Sequence, residues 1–183
     1  MTYTIDIAGL KRELPLFPVS DDTCIGAFVL FGDVEITEHA ARELLKIAPE
    51  FDYIAAPEAK AIPLAYEMSR QSGKEYLVAR KKAKAYMSNP ISVTLTSITT
   101  KGEQTLLMGS EDADKMKGKR VLILDDVIST GESLRAMEAL VEKAGGIIAA
   151  KMAVLAEGDA AKRQDIKVLA PLPLFNADGS PKK

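Results

Sequence analysis

The sequence is poor in cysteine, in histidine and in long apolar runs. Cys24 is the only cysteine, so no intramolecular disulfide can form, which fits a reducing compartment. The longest apolar run, CIGAFVLFG, is too short to span a bilayer, and the first twenty residues lack a signal-peptide core. A net charge of −2 gives no overall attraction to nucleic acid or to an anionic membrane. We expect a cytoplasmic protein with no nucleic-acid or membrane partner.

Length and composition fit one soluble domain. With 183 residues, 47% hydrophobic and 27% charged, the chain is long enough to bury a sizeable core. We expect a single domain over residues 1–183. Its tail 176–183, NADGSPKK, is of low complexity and is expected to be disordered. The only histidine, His39, lies in a predicted helix, where a surface or capping role is favoured over catalysis.

Helical and strand patterns alternate along the chain. Helices are predicted over TEHAARELLKIA (capped by Thr37), IPLAYEMSRQSG and SLRAMEALVEKAGG, and strands over FDYIAAPE, EYLVAR, RVLILDD, IIAAKMAVLAE and IKVLAPL. ISVTLTSITTKGEQTLLM, around Lys101-Gly102, predicts an antiparallel hairpin, and SEDADKMKGK a polar connector. RVLILDD has no period-two alternation, as expected for a strand covered on both faces. The pattern predicts an α/β fold with a mainly parallel sheet flanked by helices.

Three predicted strands are followed by segments whose side chains are suited to bind a ligand. Ligands of open parallel sheets bind beyond the carboxyl ends of the strands. The segment ISTGES combines Gly131, which allows close backbone approach, with three hydroxyl groups and the start of a helix. These features suit a phosphate, although a βα turn capped by Ser or Thr explains them equally well. It is not a Walker A loop, because no Gly-Lys-Ser/Thr follows.

Two adjacent acids, Asp125 and Asp126, come directly before this segment. Ionised carboxylates only accept hydrogen bonds, so hydroxyls such as a ribose diol, or a hydrated cation, are their natural partners. A sugar phosphate with Mg²⁺ provides both. LILDD is also similar to the acidic pocket of receiver domains, but the segment 127–183 is too short for the rest of that fold.

Basic residues follow two other predicted strands. ARKKAKAY contains Arg80, Lys81, Lys82 and Lys84, and APEAKAIP contains Lys60 beside Glu58. Alone, such a run of charge is usually a solvated surface. Because it shares a sheet edge with the candidate phosphate segment, it favours a polyphosphate contact.

These residues resemble a known family. VLILDDVISTGES closely resembles the phosphoribosyl-pyrophosphate (PRPP) motif of type I phosphoribosyltransferases. In the adenine phosphoribosyltransferase-like branch, YIAAPEAKAIPLA resembles the pyrophosphate loop, LVARKKAK the Arg-Lys-x-x-Lys segment, and FVLFGDVEIT the Phe-Arg-Asp-Ile segment near the base pocket. The similarity lies in blocks from about Arg12 to about Leu155. It implies the type I fold, with the hairpin as a β-hairpin lid and a small hood near the N-terminus, from about Leu10 to about Glu35.

The resemblance also implies site residues. Catalytic Asp125 and Asp126 would hold the ribose hydroxyls; Ser129, Thr130, Gly131, Glu132 and Ser133 would bind the 5′-phosphate; Glu58, Ala59, Lys60, Arg80, Lys81 and Lys84 would bind pyrophosphate; and Phe31 would lie near the base. Because the family is typically dimeric, a homodimer is implied, and the basic segment can serve either its own site or the partner's.

The implied reaction moves the phosphoribosyl group of PRPP to a purine base of adenine or xanthine/guanine type, giving a nucleoside monophosphate and pyrophosphate, as in purine salvage. Mg²⁺ is the implied cofactor, held mainly by substrate and water and not by direct protein ligands. The lid would exclude water, since hydrolysis of PRPP is the obvious side reaction.

The base half of the site departs from the family pattern. Gly32 stands where the branch often has Arg, and AYMSNP lacks the glutamate frequent in the lid. Tyr86 either stacks on a base or packs conventionally, and Leu174 and Phe175 either cover the base pocket or cover core. The base is therefore left open. A non-catalytic PRPP-binding regulator is the alternative function, although the segment before the first predicted strand is too short for a winged helix and no basic helix offers a DNA contact.

The assignment of Asp126 gives a testable prediction. Asp126→Asn removes a negative charge but keeps the size of the side chain, so we expect PRPP binding or turnover to weaken strongly while the fold stays intact. Titration with PRPP and Mg²⁺, together with a urea unfolding curve, measures both. Normal binding and turnover would show that the role assigned to Asp126 is wrong.

Overall fold

The computed structural model describes residues 1–96 and 103–182. In chain order the elements are β1 (Thr2–Ile7), β2 (Leu10–Pro18), β3 (Cys24–Gly26), α1 (Val34–Ile47), β4 (Tyr53–Pro57), α2 (Ile62–Ser72), β5 (Glu75–Ala79), β6 (Ile91–Thr96), β7 (Glu103–Met108), α3 (Ser110–Met116), β8 (Arg120–Ile128), α4 (Glu132–Lys143), β9 (Ile147–Glu157), a 3₁₀ helix (Gly158–Lys162) and β10 (Lys167–Leu172). No helix in these described ranges has the length and apolar character needed to cross a membrane.

A five-stranded parallel sheet, in the order β10-β9-β8-β4-β5, forms the centre of the fold. Strand β8 is buried on both faces: Leu122 and Leu124 pack with α1 and α2, and Val121 and Ile123 pack with α4. The absence of alternation in RVLILDD is thereby explained. The predicted α/β fold, a mainly parallel sheet flanked by helices with an added hairpin, is confirmed.

The order of the strands reverses beside β4. From β4 the chain moves outward to β5 and later returns to β8, on the other side of β4, before continuing to β9 and β10. The gap between the carboxyl ends of β4 and β8 is therefore a topological switch point, where ligands of open α/β sheets bind. The segments that follow Pro57 and Leu124 meet at this gap.

Helix α1 begins at Val34, three residues before the predicted cap Thr37. Asp33 caps the helix instead, since its Oδ1 accepts the Ile36 N–H at 3.2 Å. The Thr37 hydroxyl donates to the Asp33 carbonyl at 2.7 Å, and Arg12 of β2 forms an ion pair with the Asp33 carboxylate at 2.7 Å. The cap thus ties the N-terminal strands to the helix.

The segment predicted as a polar connector contains a helix. In α3, Ala113 and Met116 are buried, and this apolar pair, three residues apart, is enough to fix one face of a short helix. The remaining residues of the segment are polar, which is why the pattern was not recognised as helical.

The predicted hairpin is confirmed as the antiparallel pair β6 and β7; its expected turn at Lys101-Gly102 lies outside the described residues. Leu106 and Met108 are buried in the cluster that includes α4. Arg80 and Leu107 exchange two backbone hydrogen bonds of 2.8 Å, so β7 is joined to the end of β5.

The N-terminal sheet, β1-β2-β3, is antiparallel and begins at Thr2, earlier than the hood expected from about Leu10. The only histidine helps to attach this sheet to α1: His39 Nε2 lies 3.1 Å from the carbonyl oxygen of Ile7 and 3.0 Å from that of Ala8.

The tail differs from the expected disorder. Phe175 exchanges backbone hydrogen bonds with Cys24 (2.8 and 2.9 Å), and Asn176 and Ser180 close a turn. The side chain of Phe175 is fully buried in the main core cluster and lies 4.9 Å from the ring of Tyr3, so of the two alternatives it covers core. Residues 176–182, for which disorder was expected, fold back onto Leu174 and Phe175: the Lys182 N–H donates to the Leu174 carbonyl at 2.7 Å, and Pro181 pairs with Phe175.

This packing gives a stability prediction. Phe175→Ala removes a fully buried ring, and we expect the free energy of unfolding to fall by about 3–5 kcal/mol. Phe17→Ala is the matched control: Phe17 is 53% exposed, and its loss should change stability by only about 0.5 kcal/mol. Urea unfolding curves measure both, and equal effects would mean that the tail does not pack on the core.

Candidate active site

A cavity of about 670 Å³ opens at the switch point between β4 and β8. It brings together predicted site residues from three separate segments of the sequence: Glu58, Ala59, Lys60, Lys81, Asp125, Asp126 and Ser133. Thr105 and Leu106 of β7 form another part of its wall. The hairpin therefore contributes directly to the cavity, and no pattern in the sequence pointed to these two residues individually.

The two acids lie within strand β8 and not beyond it, because the ladder with β9 continues through Asp125, paired with Ala153, to Ile128. Asp126 is buried, with 3% of its surface exposed, and Asp125 is half-buried. The Asp126 N–H donates to Oδ1 of Asp125 at 2.9 Å. Burial, followed by the neighbouring charge of Asp126, raises the pKa of Asp125 well above that of an ordinary aspartate.

Lys60 provides the counter-charge for this pair. Its Nζ lies 2.9 Å from Oδ2 of Asp126. The contact is an ion pair without the alignment of a hydrogen bond, and among the described residues this oxygen has no hydrogen-bond donor. A buried carboxylate oxygen with unused acceptor capacity, beside a cavity, is suited to receive a donor from a ligand.

Glu58 fastens its loop to the end of the neighbouring strand. Its Oε1 accepts the Lys81 N–H at 2.6 Å, its Oε2 lies 3.0 Å from Nε of Arg80, and its own N–H donates to the Ala79 carbonyl. The Glu58 carboxylate therefore holds the loop, and Lys60 is the side chain of residues 58–60 that carries positive charge into the cavity. The Glu58–Ala59 peptide is cis.

The basic residues after β5 differ in their position. Lys81 lines the cavity, whereas Arg80 pairs with Glu58 and does not line it. Lys84 also lies outside the cavity lining, and its carbonyl accepts the Met87 N–H in a turn. Of the three basic residues predicted here, only Lys81 is brought to the cavity.

The candidate phosphate loop, residues 129–133, leads from β8 into α4. Gly131 occupies the cap position of α4 with φ +79°, a conformation that favours glycine, and no side chain caps the helix there. The nearest substitute is Thr130, whose Oγ1 lies 3.4 Å from the Glu132 N–H. A capped turn was the structural alternative for this segment; with glycine at the cap, backbone N–H groups at the helix start are left for an anion. Ser129 and Thr130 are exposed, and Ser133 reaches the cavity.

The predicted base-site residue is not part of this cavity. Phe31 lies just before α1, is 55% exposed and is absent from the cavity lining. The structure thus gathers residues predicted for PRPP but does not bring Phe31 to them.

Comparison with known proteins finds phosphoribosyltransferases. A family model of the phosphoribosyl transferase domain matches residues 34–172. The chain is 33% identical over 149 residues to an adenine phosphoribosyltransferase of Thermosipho africanus, covering 80% of this chain and 84% of the relative. It is also 33% identical over 144 residues to a hypoxanthine/guanine phosphoribosyltransferase of Methanococcus voltae, covering 79% and 71%.

Solved structures show the same fold. The adenine phosphoribosyltransferase of Thermoanaerobacter pseudethanolicus superposes with a TM-score of 0.66 at 24% identity, covering 78% of this chain and 84% of that one. The Saccharomyces cerevisiae enzyme, solved with an imino-altritol bisphosphate and adenine, gives 0.67 at 19% identity and covers 86% and 92%. The chain belongs to the phosphoribosyltransferase family and is a transferase enzyme.

Proposed function

We propose that the protein transfers the phosphoribosyl group of PRPP to a purine base, releasing pyrophosphate and a nucleoside monophosphate. The observation that carries the proposal is the shared cavity, in which the acid pair, Lys60, Lys81 and Ser133 meet at the switch point of the sheet. PRPP has a phosphate at one end, a diol in the middle and a pyrophosphate at the other, and the cavity offers matching groups.

Each part of PRPP has a chemical counterpart. The ribose hydroxyls donate to Asp125 and Asp126, which act as acceptors when ionised. The 5′-phosphate lies on residues 129–133, at the start of α4. Pyrophosphate lies by the backbone of residues 58–60, with Lys60 and Lys81 as its cations. Arg80 holds Glu58, so its contribution to this site is to position the loop.

Lys60 changes partner in this proposal. Without ligand it neutralises Asp126, and the distance of 2.9 Å shows how close the acid and the pyrophosphate loop lie. When PRPP brings hydroxyls to Asp126 and negative charge to the loop, the ammonium group has a stronger anion available to it. The exchange keeps the buried acid compensated in both states.

The cavity also suits Mg²⁺. Among the described residues no three His, Cys, Asp or Glu side chains converge as a metal site, but Asp125 and Asp126 supply the hard oxygen donors that Mg²⁺ prefers. In our proposal the ion is held mainly by substrate oxygens and water beside these acids. When bound, Mg²⁺ neutralises charge that develops on the departing pyrophosphate.

The residues of the chain stabilise the reacting sugar. As the bond from C1 to pyrophosphate breaks, the ribose gains oxocarbenium-like positive charge, which the adjacent carboxylates favour. On the hairpin side, Leu106 adds an apolar side chain to the cavity wall beside Thr105, and this apolar surface limits access of water to the cation.

We propose a purine, of adenine or xanthine/guanine type, as the acceptor. Support comes from the relatives, which include both adenine and hypoxanthine/guanine phosphoribosyltransferases. The proposal names the class of base and not the individual base, because Phe31, the residue predicted to lie near the base, is outside the cavity lining.

A homodimer in the cytoplasm is part of the proposal. Lys84 lies outside the cavity of its own chain and is therefore available to a partner's site, and Phe31, Val34 and Tyr66 are large apolar side chains left more than half exposed. A cytoplasmic location is supported by the single cysteine, which is free.

A panel assay tests the function. The purified protein is incubated with PRPP and Mg²⁺ and with adenine, guanine, hypoxanthine, xanthine, uracil or orotate in turn, and pyrophosphate release is followed. We expect turnover with at least one purine and none with the pyrimidines. Binding of PRPP without turnover of any base would favour a non-catalytic PRPP-binding regulator, and a lack of PRPP binding would refute both functions.

The raised pKa of Asp125 predicts a proton linked to binding. A diol that donates hydrogen bonds, and a nearby Mg²⁺, both favour the ionised carboxylate, so the ligand lowers this pKa. The complex then holds fewer protons than the free protein, and PRPP affinity should rise as the pH rises toward the ligand-free pKa. Titration calorimetry in two buffers of different ionisation enthalpy should show release of up to about one proton. The Asp125→Asn variant, measured at saturating PRPP, should release less; equal release by both proteins would contradict the role of Asp125.

A further inference from the structure

An arginine from a distant part of the chain lies against the phosphate loop. Arg163 follows the 3₁₀ helix after β9, the strand beside β8. A Cβ atom placed on Gly131 would be only 2.8 Å from Nη1 of Arg163. The guanidinium therefore lies directly against Gly131, and a side chain at residue 131 would require the end of Arg163 to shift.

The guanidinium is held in this position by a network of ion pairs. Its Nε and Nη2 donate to the two carboxylate oxygens of Asp165 at 2.9 and 2.7 Å. Asp165 also pairs with Lys151, which in turn pairs with Glu138 of α4 at 2.6 Å. Asp165 engages one edge of the fork and leaves Nη1 directed at the loop. A bidentate pair of this kind fixes the plane of the guanidinium as well as its position.

The charge of Arg163 is unusual for its place. The start of a helix carries partial positive charge, so a cation beside the cap of α4 is electrostatically unfavourable unless an anion lies there too. The loop itself has no Lys or Arg and contains one acid, Glu132. Asp165 offsets part of the charge of Arg163 but lies on the side of the guanidinium that faces away from Nη1. A dianionic phosphate on the loop would be the missing partner.

We propose that Arg163 is a further binding residue for the 5′-phosphate, contributed from outside the phosphate loop. The proposal rests on the proposed function, because it names the group that recognises one end of PRPP. Nη1 supplies a charge-assisted hydrogen bond to a phosphate that the loop itself binds through backbone N–H groups and hydroxyls. Arg163 then selects for a phosphorylated ribose, whereas Lys60 and Lys81 act at the pyrophosphate end.

Titration calorimetry with two probes tests this role on the full chain. Ribose 5-phosphate reports on the phosphate loop, and pyrophosphate with Mg²⁺ reports on the other end of the cavity. Arg163→Gln should weaken ribose 5-phosphate about tenfold to a hundredfold, as expected for a lost charge-assisted hydrogen bond, and should leave pyrophosphate within about twofold. Arg163→Lys keeps the positive charge but lacks the planar guanidinium, so its loss of affinity for ribose 5-phosphate should be smaller.

Arg42→Gln is the matched control, since Arg42 is an exposed arginine of α1 that pairs with its neighbour Glu43. It should bind both probes as the unmodified protein does. The Arg163 side chain is partly buried, with 30% of its surface exposed, so its replacement can affect folding. Urea unfolding curves of both glutamine variants check that each is folded. If Arg163→Gln does not fold, Arg163→Lys carries the comparison.

The possible failures are distinguishable. If the unmodified protein binds neither ribose 5-phosphate nor PRPP, the proposed function is wrong and the role of Arg163 with it. If it binds both and Arg163→Gln retains full affinity for ribose 5-phosphate, only the role of Arg163 is wrong. Equal weakening of ribose 5-phosphate and pyrophosphate would show that Arg163 merely supports the fold of the site, which also overturns the proposal.

Discussion

The repulsion between Asp125 and Asp126 is the constraint around which the site is built. The acids lie in the central strand of the sheet, where burial makes each charge costly and their mutual repulsion strong. Three features make the pair tolerable: the raised pKa of Asp125, the ion pair of Asp126 with Lys60, and the hydrogen bond from the Asp126 N–H to Asp125. The hydrogen bond joins adjacent residues of one strand, whereas the ion pair needs Lys60, which the strand order brings close. The β4 loop must therefore face the end of β8, and the switch point provides that geometry.

The parallel core was predictable from the sequence because its signals are local. Strand β8 contains the continuous apolar run VLIL, and Gly73, in a left-handed conformation, follows α2 directly. Local signals failed where a side chain had two possible uses. Thr37 has the chemistry of a cap, but Asp33 lies four residues earlier and is anchored by Arg12, so the helix begins at Val34. In α3, two buried apolar side chains outweigh a polar sequence, and that outcome depends on the core beneath them.

Long-range pairing explains the remaining differences. The backbone of Cys24 pairs with that of Phe175, and no pattern near either residue reveals the other. The same limit applies within the site. The basic run after β5 was recognised, but its partition into Lys81 in the cavity, Arg80 on Glu58 and Lys84 outside depends on how the loop turns. Arg163 was missed altogether, because its only link to the candidate phosphate loop is spatial; the structural signal that reveals it is its closeness to Gly131, where a Cβ atom would lie 2.8 Å from Nη1.

The family model matches the part of the chain that contains the cavity but not the N-terminal sheet or the tail. Residues 34–172 include every segment that lines the cavity, and they exclude the N-terminal sheet and the tail beyond Leu172. The matched part holds the groups proposed for PRPP, a ligand that does not vary with the base, so its strand-end geometry can be common to relatives named for different bases. Phe31 lies just ahead of the match, between the N-terminal sheet and α1. The ion pair of Arg12 with Asp33 fixes this junction, and His39 fixes the sheet to the helix from the other side. In the proposed function, the chemistry at C1 of PRPP depends on the strand ends, while Phe31, the residue predicted to lie near the base, belongs to a segment whose position relative to the sheet is set by these two polar contacts.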